Sequence, residues 1–195
     1  MSARAPLDRL DPDRAVVLAV DFQERLARAM SPKILDRCVN SARLLMAAAQ
    51  AFELPVVVSE QYPKGLGPTV PDLSSSIDEV SAVYRLDKVA FSVCDAEQFA
   101  PVWDELHEHG RDQWIVVGME CHVCVYQTVR DLLDRDAAVF VPQDGVLSRT
   151  KDNWKVGLRL MERLGATIGA TEVAVFDVLR RAGTPQFKQL SPLVR

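Results

Sequence analysis

QWIVVGMECHVCVYQTVRDLLDRDAAVFVPQD, residues 113–144, reads as strand, helix, strand. Residues 113–119 form a short, almost wholly apolar run, as expected of a strand buried on both faces. Residues 124–133 read as a helix and residues 137–144 as the next strand. Two strands of one sheet joined through a helix run parallel, with a right-handed crossover. The same alternation extends in both directions along the chain. Upstream, AVVLAVD (15–21) is a flat apolar run closed by a carboxylate, and LPVVVSE (54–60) is a second such strand. Between them, residues 32–52 place Ile34, Leu35, Cys38, Val39, Ala42, Leu45 and Met46 on one helical face. A long irregular segment follows, with Pro63, Gly65, Gly67, Pro68 and Pro71, and loops of this length inside a domain are often functional.

Residues 80–86 read as a short strand. Residues 95–109 read as a helix with Phe99, Val102, Trp103 and Leu106 on one face, stopped by Gly110. Downstream, residues 153–164 form a helix ended by Gly165, residues 166–168 a short strand, and Thr171 the N-cap of a last helix reaching Arg181. The expected fold is α/β in three layers, α/β/α, around a mostly parallel central sheet. The expected organisation is an N-terminal arm over 1–14, one domain over 15–183 and a C-terminal tail over 184–195.

The chain has 195 residues, 48% of them hydrophobic, enough to bury a core without metal or disulfide staples. With 23 Lys and Arg against 27 Asp and Glu, the net charge of −4 argues against binding nucleic acid through bulk charge. No apolar run is long enough to span a bilayer. MSARAPLDRLDPDRA at the N-terminus has no apolar core, so no secretory signal is expected. Four cysteines do not make a disulfide scaffold at this length, and a reducing cytoplasm is the expected compartment.

In parallel sheets ligands collect beyond the carboxyl ends of the strands. Asp21, Lys88, Cys121 and Cys124 fall there. Lys88 is one of six lysines, against seventeen arginines, and sits beside the apolar pair Val89 and Ala90. A cysteine near a helix N-terminus has its thiolate favoured by the helix dipole. A nearby ammonium favours it further, and a carboxylate within reach can take and return its proton. Taken singly, each residue has a plainer reading: turn aspartate, surface lysine, small core cysteine. The spacing Cys121-His122-Val123-Cys124 also fits a thiol–disulfide centre. It does not read as zinc ligation, since no second pair of Cys or His lies nearby and His107 and His109 read as solvated.

Four stretches resemble the isochorismatase-like cysteine hydrolases, in order and spacing as well as residues: LAVDFQERL (18–26), SEQYPKGLGPTVPDL (59–73), DKVAFSV (87–93) and residues 116–149. The second resembles the loop of the isochorismatase-domain hydrolases of unassigned substrate. The resemblance implies a Rossmann-like sheet and a catalytic set of Asp21, Lys88 and Cys124. It implies a cis peptide between Met119 and Glu120, with the Glu120 and Cys124 N–H groups as oxyanion hole. Gln23, Gln61, Tyr62, Phe91 and Cys121 would line the substrate, Cys121 standing where relatives usually have Thr. Nicotinamidases of this fold carry metal-binding histidines in the loop that matches residues 61–67, which has none here, so no metal and no cofactor are implied. Isochorismatases proper need no cysteine, so Cys124 points to C–N cleavage.

The expected activity is therefore hydrolysis of a small amide or carbamoyl-type bond through a thioester on Cys124. A thiol redox or sensor protein using Cys121 and Cys124 is the alternative, and a silent binding module on the same fold a third. The expected partners are a small-molecule substrate and further copies of the chain, with helices near Trp103 or Trp154 as contacts, and neither nucleic acid nor membrane.

Overall fold

The computed structural model describes Leu7 and residues 9–194. In chain order its elements are β1 (Ala15–Val20), α1 (Glu24–Ala27), α2 (Pro32–Phe52), β2 (Val56–Gln61), α3 (Pro63–Leu66), α4 (Pro71–Ile77), β3 (Val83–Lys88), α5 (Phe99–Glu108) and β4 (Gln113–Met119). There follow α6 (Tyr126–Asp134), β5 (Ala138–Pro142), β6 (Val146–Leu147), α7 (Lys151–Leu164), β7 (Thr167–Gly169), α8 (Thr171–Leu179) and α9 (Pro185–Leu190). The strands form one sheet in the order β3-β2-β1-β4-β5-β7, with β6 against the end of β4, and every pairing is parallel.

The flat apolar pattern of the central strands follows from their two buried faces. Along β1, Ala15, Val17 and Ala19 pack with α2, α8 and α9, while Val16, Leu18 and Val20 pack with α5, α6 and α7. The same division runs along β4, with Ile115, Val117 and Met119 on the first side and Trp114 and Val116 on the second. This is the three-layer α/β/α arrangement. The strand order reverses between β1 and β4, which opens the crevice beyond their carboxyl ends where such sheets bind ligands.

Several elements differ from the sequence reading. The first turn of α2 stands clear of the sheet, and Ile34 is half exposed. Strand β3 lies later than residues 80–86, because its pairing with β2 runs on to Gln61↔Lys88. The segment after β2 holds two short helices, and polar side chains pin its backbone. Gln23 Nε2 donates to the carbonyls of Gln61 (3.0 Å) and Gly67 (2.7 Å). Glu60 Oε1 accepts from both N and Oγ1 of Thr69, each at 2.7 Å. Helix α5 starts at Phe99, after a 3-10 turn over Val93–Asp95. The N-cap of α8 is Ala170, and the Thr171 N–H is taken instead by Asp144 Oδ1 at 2.8 Å.

The described parts of the two end segments also join the core; residues 1–6, 8 and 195 of the expected arm and tail lie outside the described residues. Leu10 is fully buried, with its N–H on Asp177 Oδ2 (2.7 Å), and Gln113 ties down Arg9 O and Asp11 N. The expected C-terminal tail contains α9, which packs on α2 and buries Leu190 completely. Among the described residues no helix is long and apolar enough to cross a membrane.

Candidate active site

Asp21 follows β1 directly and turns the chain with a left-handed φ of 52°. Its N–H donates to Ser59 O (3.0 Å), and Ser59 Oγ donates to its Oδ1 at 2.8 Å. Its Oδ2 accepts from Lys88 Nζ at 2.7 Å, and neither side chain of this ion pair is exposed. Lys88 is the last residue of β3, two strands away from Asp21 in the sheet. The intervening strand β2 supplies both Ser59, in register with Val20, and Gln61, in register with Lys88. Lys88 Nζ also reaches Gln61 Oε1 (2.8 Å), Phe91 O (3.1 Å) and Ala90 O (3.3 Å). Three N–H groups thus serve four oxygens, and the ammonium is saturated within the protein.

Beyond β4 the Met119–Glu120 peptide is cis. Residues 121–125 then form a π-helical turn, with Val125 N–H on Glu120 O (3.3 Å), before α6 begins at Tyr126. The sequence places a helix start at Cys124, but that residue lies inside this wider turn. Such single turns recur at functional sites, where they re-aim a side chain. Glu120 is held from the far side: its Oε2 accepts from Arg149 N–H at 3.0 Å, and the Arg149 guanidinium lies 3.7 Å from Oε1. His122 Nδ1 pairs with Ser148 Oγ at 3.0 Å. Helix α7 presses on the turn at Gly157, where an added Cβ would lie 2.8 Å from Cys121 O and 2.9 Å from its Sγ.

Cys124 is 6% exposed, and its thiol lies close enough to Asp21 for charge and hydrogen bonding to couple them. Burial pushes this thiol up to about 12; the Asp21 carboxylate adds to the rise and Lys88 opposes it. The thiolate expected from the sequence is therefore not the resting species, because loss of water around the sulfur outweighs the nearby ammonium. Burial likewise raises the Asp21 carboxyl above the ordinary aspartate value, while Lys88, Ser59 and Cys124 pull it down.

The residues expected to line the substrate divide. Tyr62 and Phe91 are half exposed and Val89 more so, grouped on the turns either side of Lys88. Gln61 faces Lys88. Gln23 is fully buried, and its amide oxygen also accepts from Gln61 N–H at 2.7 Å. Cys121 is also sealed, with its thiol on Trp154 O (3.6 Å) and raised by burial to about 12. Trp154 donates its indole N–H to Gln143 O and Val146 O, and Trp103 stacks on Trp114. Sequence reasoning missed Ser59, whose signal was a hydroxyl at the end of an apolar strand, and the Glu120–Arg149 clamp, which has none.

Residues 15–173 match the family model described as Isochorismatase domain. The chain is 34% identical over its whole length to the secreted isochorismatase effector Isc1 of Phytophthora sojae, covering 90% of that protein. It is 30% identical, again over its whole length, to isochorismatase domain-containing protein 2B of Mus musculus, covering 87% of it. Among solved structures, the MAR1 ribonuclease of Caenorhabditis elegans superposes with a TM-score of 0.86 at 33% identity, over 95% of this chain and 92% of that one. With a family match across four fifths of the chain and the strand-end geometry in place, the chain belongs to the isochorismatase family.

Proposed function

We propose that the chain is a cysteine hydrolase that cleaves a small amide or carbamoyl-type C–N bond, with Cys124 as nucleophile, Asp21 as acid–base and Lys88 as the fixed cation. The observation that carries this reading is a fully buried Asp21–Lys88 ion pair set against a nearly buried thiol. A buried ion pair is costly to maintain and weak evidence of stability, so its presence beside a nucleophile points to chemistry.

The steps follow from the resting protonation. Asp21 takes the Cys124 proton as sulfur attacks the carbonyl carbon, and the carbonyl π pair moves onto oxygen. The N–H groups of Glu120 and Cys124 receive that oxyanion. As it collapses, the C–N bond breaks and Asp21 passes its proton to the leaving nitrogen. A water then attacks the thioester while Asp21 takes its proton. The second tetrahedral intermediate expels sulfur, which recovers the proton from Asp21, and the carboxylic acid departs. Lys88 stays charged throughout. Tyr62, Val89 and Phe91 form the rim over which a substrate enters, or against which a second copy of the chain packs.

A panel of small amides assayed for released ammonia tests the reading. Turnover by the wild type, lost at least a thousandfold in Cys124→Ala, is expected; turnover that survives Cys124→Ala overturns it. Asp21 must be ionised to act, and burial holds its pKa above that of a solvated aspartate. Activity should therefore rise with pH along an acid limb centred above the ordinary aspartate value. A limb at or below that value would remove Asp21 from the role of base.

The redox alternative needs Cys121 as partner to Cys124. Serine at position 121 keeps a donor for Trp154 O, so Cys121→Ser should retain turnover within about threefold, since the nucleophile and its acid–base partner are untouched. Complete loss of activity in Cys121→Ser, with a mapped Cys121–Cys124 disulfide in the wild type, would favour the redox reading. An RNA strand is tested beside the panel, its cleavage read by strand length because breaking a phosphodiester releases no ammonia, since the Caenorhabditis elegans structure bears the word ribonuclease in its name. The net charge of −4 speaks against RNA as substrate here.

A further inference from the structure

We propose that Gln61 is a positioning residue for Lys88, and that through it the entrance loop sets the geometry of the Asp21–Lys88 pair. This deepens the hydrolase reading and rests on it.

Gln61 bridges two groups of opposite need. Its Oε1 accepts from Lys88 Nζ at 2.8 Å, and its Nε2 donates to Val89 O at 2.6 Å. Only an amide of this length offers an acceptor to the ammonium and a donor to the carbonyl from one side chain. An ionised Glu keeps the first contact and turns the second into repulsion. A Met of similar length makes neither. The Val89 contact matters because the next two residues of that turn, Ala90 and Phe91, supply the remaining oxygens on Lys88. Gln61 therefore gives the ammonium one acceptor directly and braces the turn that gives it two more.

The main chain of Gln61 is held just as closely. Its N–H and carbonyl are both bound by the Gln23 side chain, which also holds Gly67 O at the far end of the loop. The next residue, Tyr62, donates its N–H to Lys88 O at 2.8 Å. A continuous hydrogen-bonded path thus runs from the loop over residues 61–67 through Gln61 to Lys88, Asp21 and Ser59. The charged and titratable groups along it are Lys88, Asp21 and the Cys124 thiol, with the Glu120 carboxylate acting on the thiol from the nucleophile turn. Lys88 favours the thiolate, so a displaced ammonium makes Cys124 less reactive at a given pH.

The test uses the full chain with lysine side chains labelled at Nζ with nitrogen-15. It reads the Lys88 ammonium cross-peak and the rate at which iodoacetamide alkylates Cys124 between pH 7 and 9, followed on the Cys124 peptide by mass spectrometry. In the wild type the buried, saturated ammonium should give a sharp cross-peak. Gln61→Met should broaden it through faster exchange with water. The alkylation profile should move to higher pH by about one unit, which is about tenfold slower alkylation at fixed pH. Gln61→Glu, which keeps an acceptor on the ammonium, should restore the cross-peak. The proposal fails if Gln61→Met leaves both the cross-peak and the alkylation profile in place. It fails equally if Gln61→Glu cannot restore the cross-peak, since a direct acceptor at position 61 then does not hold the ammonium in place. Should Gln61→Met melt before measurement, Gln61→Glu decides alone: a retained cross-peak supports the proposal and a lost one overturns it. None of these readouts needs a substrate, so they stand apart from the ammonia assay that tests the hydrolase reading.

Discussion

Lys88→Met is expected to lower stability by about 3–5 kcal/mol and to abolish turnover, because it leaves the Asp21 carboxylate buried without its cation. Neither side chain of the pair touches solvent, so water cannot take the place of the ammonium. The remaining partners of Asp21 are neutral, the Ser59 hydroxyl at 2.8 Å and the Cys124 thiol. Asp21 would relieve the charge by binding a proton, since burial already raises its pKa and Lys88 is the largest influence opposing that rise. A protonated Asp21 cannot accept the thiol proton, and loss of a general base costs about 10²–10⁴ in rate. Stability and activity separate in the double variant Asp21→Asn, Lys88→Met. With the charge gone from both positions, most of the stability should return while turnover stays absent. Denaturant unfolding and the ammonia assay measure the two effects. A Lys88→Met protein within about 1 kcal/mol of wild type would show that the ion pair contributes far less than its burial implies.

Gly118→Ala is expected to damage the fold at the point where it meets the chemistry. Gly118 lies in β4 in register with Val20, the residue before Asp21, and one residue before the cis peptide at Met119. Its φ of 142° lies in a region that side-chain-bearing residues rarely adopt. A Cβ there would overlap the Val20 carbonyl oxygen and lie 2.7 Å from Val20 Cβ. The obstruction is backbone, so no rotamer change relieves it, and β1 and β4 must move apart. Overpacking of this kind costs about 1–3 kcal/mol, and the disallowed φ adds about 1–3 more. Whatever protein still folds should have lost most turnover, because β1 carries Asp21 and β4 leads into the Cys124 turn. A Gly118→Ala variant with wild-type melting temperature and activity would mean that these strand ends need not be so close.

Much of the architecture was legible in the chain because parallel strands buried on both faces leave unbroken apolar runs. Residues 15–20 and 113–119 carry that mark. Helix α2 is equally plain from its period of three and four. The elements that escaped are those whose stability comes from partners distant in sequence. Helices α3 and α4 sit in a segment rich in Pro and Gly, organised by Gln23 from one side and Glu60 from the other. The short strand β6 exists because Gly118 and Met119 pair with Val146 and Leu147. Helix α9 is six residues long, too short to show a period, and is held by α2.

For the site, sequence alone determined the chemical types and their place: a carboxylate, an ammonium and a thiol, each at or just after a strand end. Strand order then made them neighbours, since β2 lies between β1 and β3 and contributes Ser59 and Gln61 to the same cluster. Only the tertiary structure decided protonation. The sequence places Cys124 near a helix start and a lysine, both of which favour thiolate, but how far a sulfur is stripped of water is a property of everything packed around it. Burial wins here and keeps the thiol protonated at rest. The same holds for Gln23 and Cys121, expected at the substrate and both fully buried. Gln23 and Cys121 are polar groups near the motif in sequence, yet Gln23 spends its amide on the loop backbone and Cys121 is closed in by α7 at Gly157. Chemical identity is local to the chain, whereas desolvation and orientation are set by packing across it.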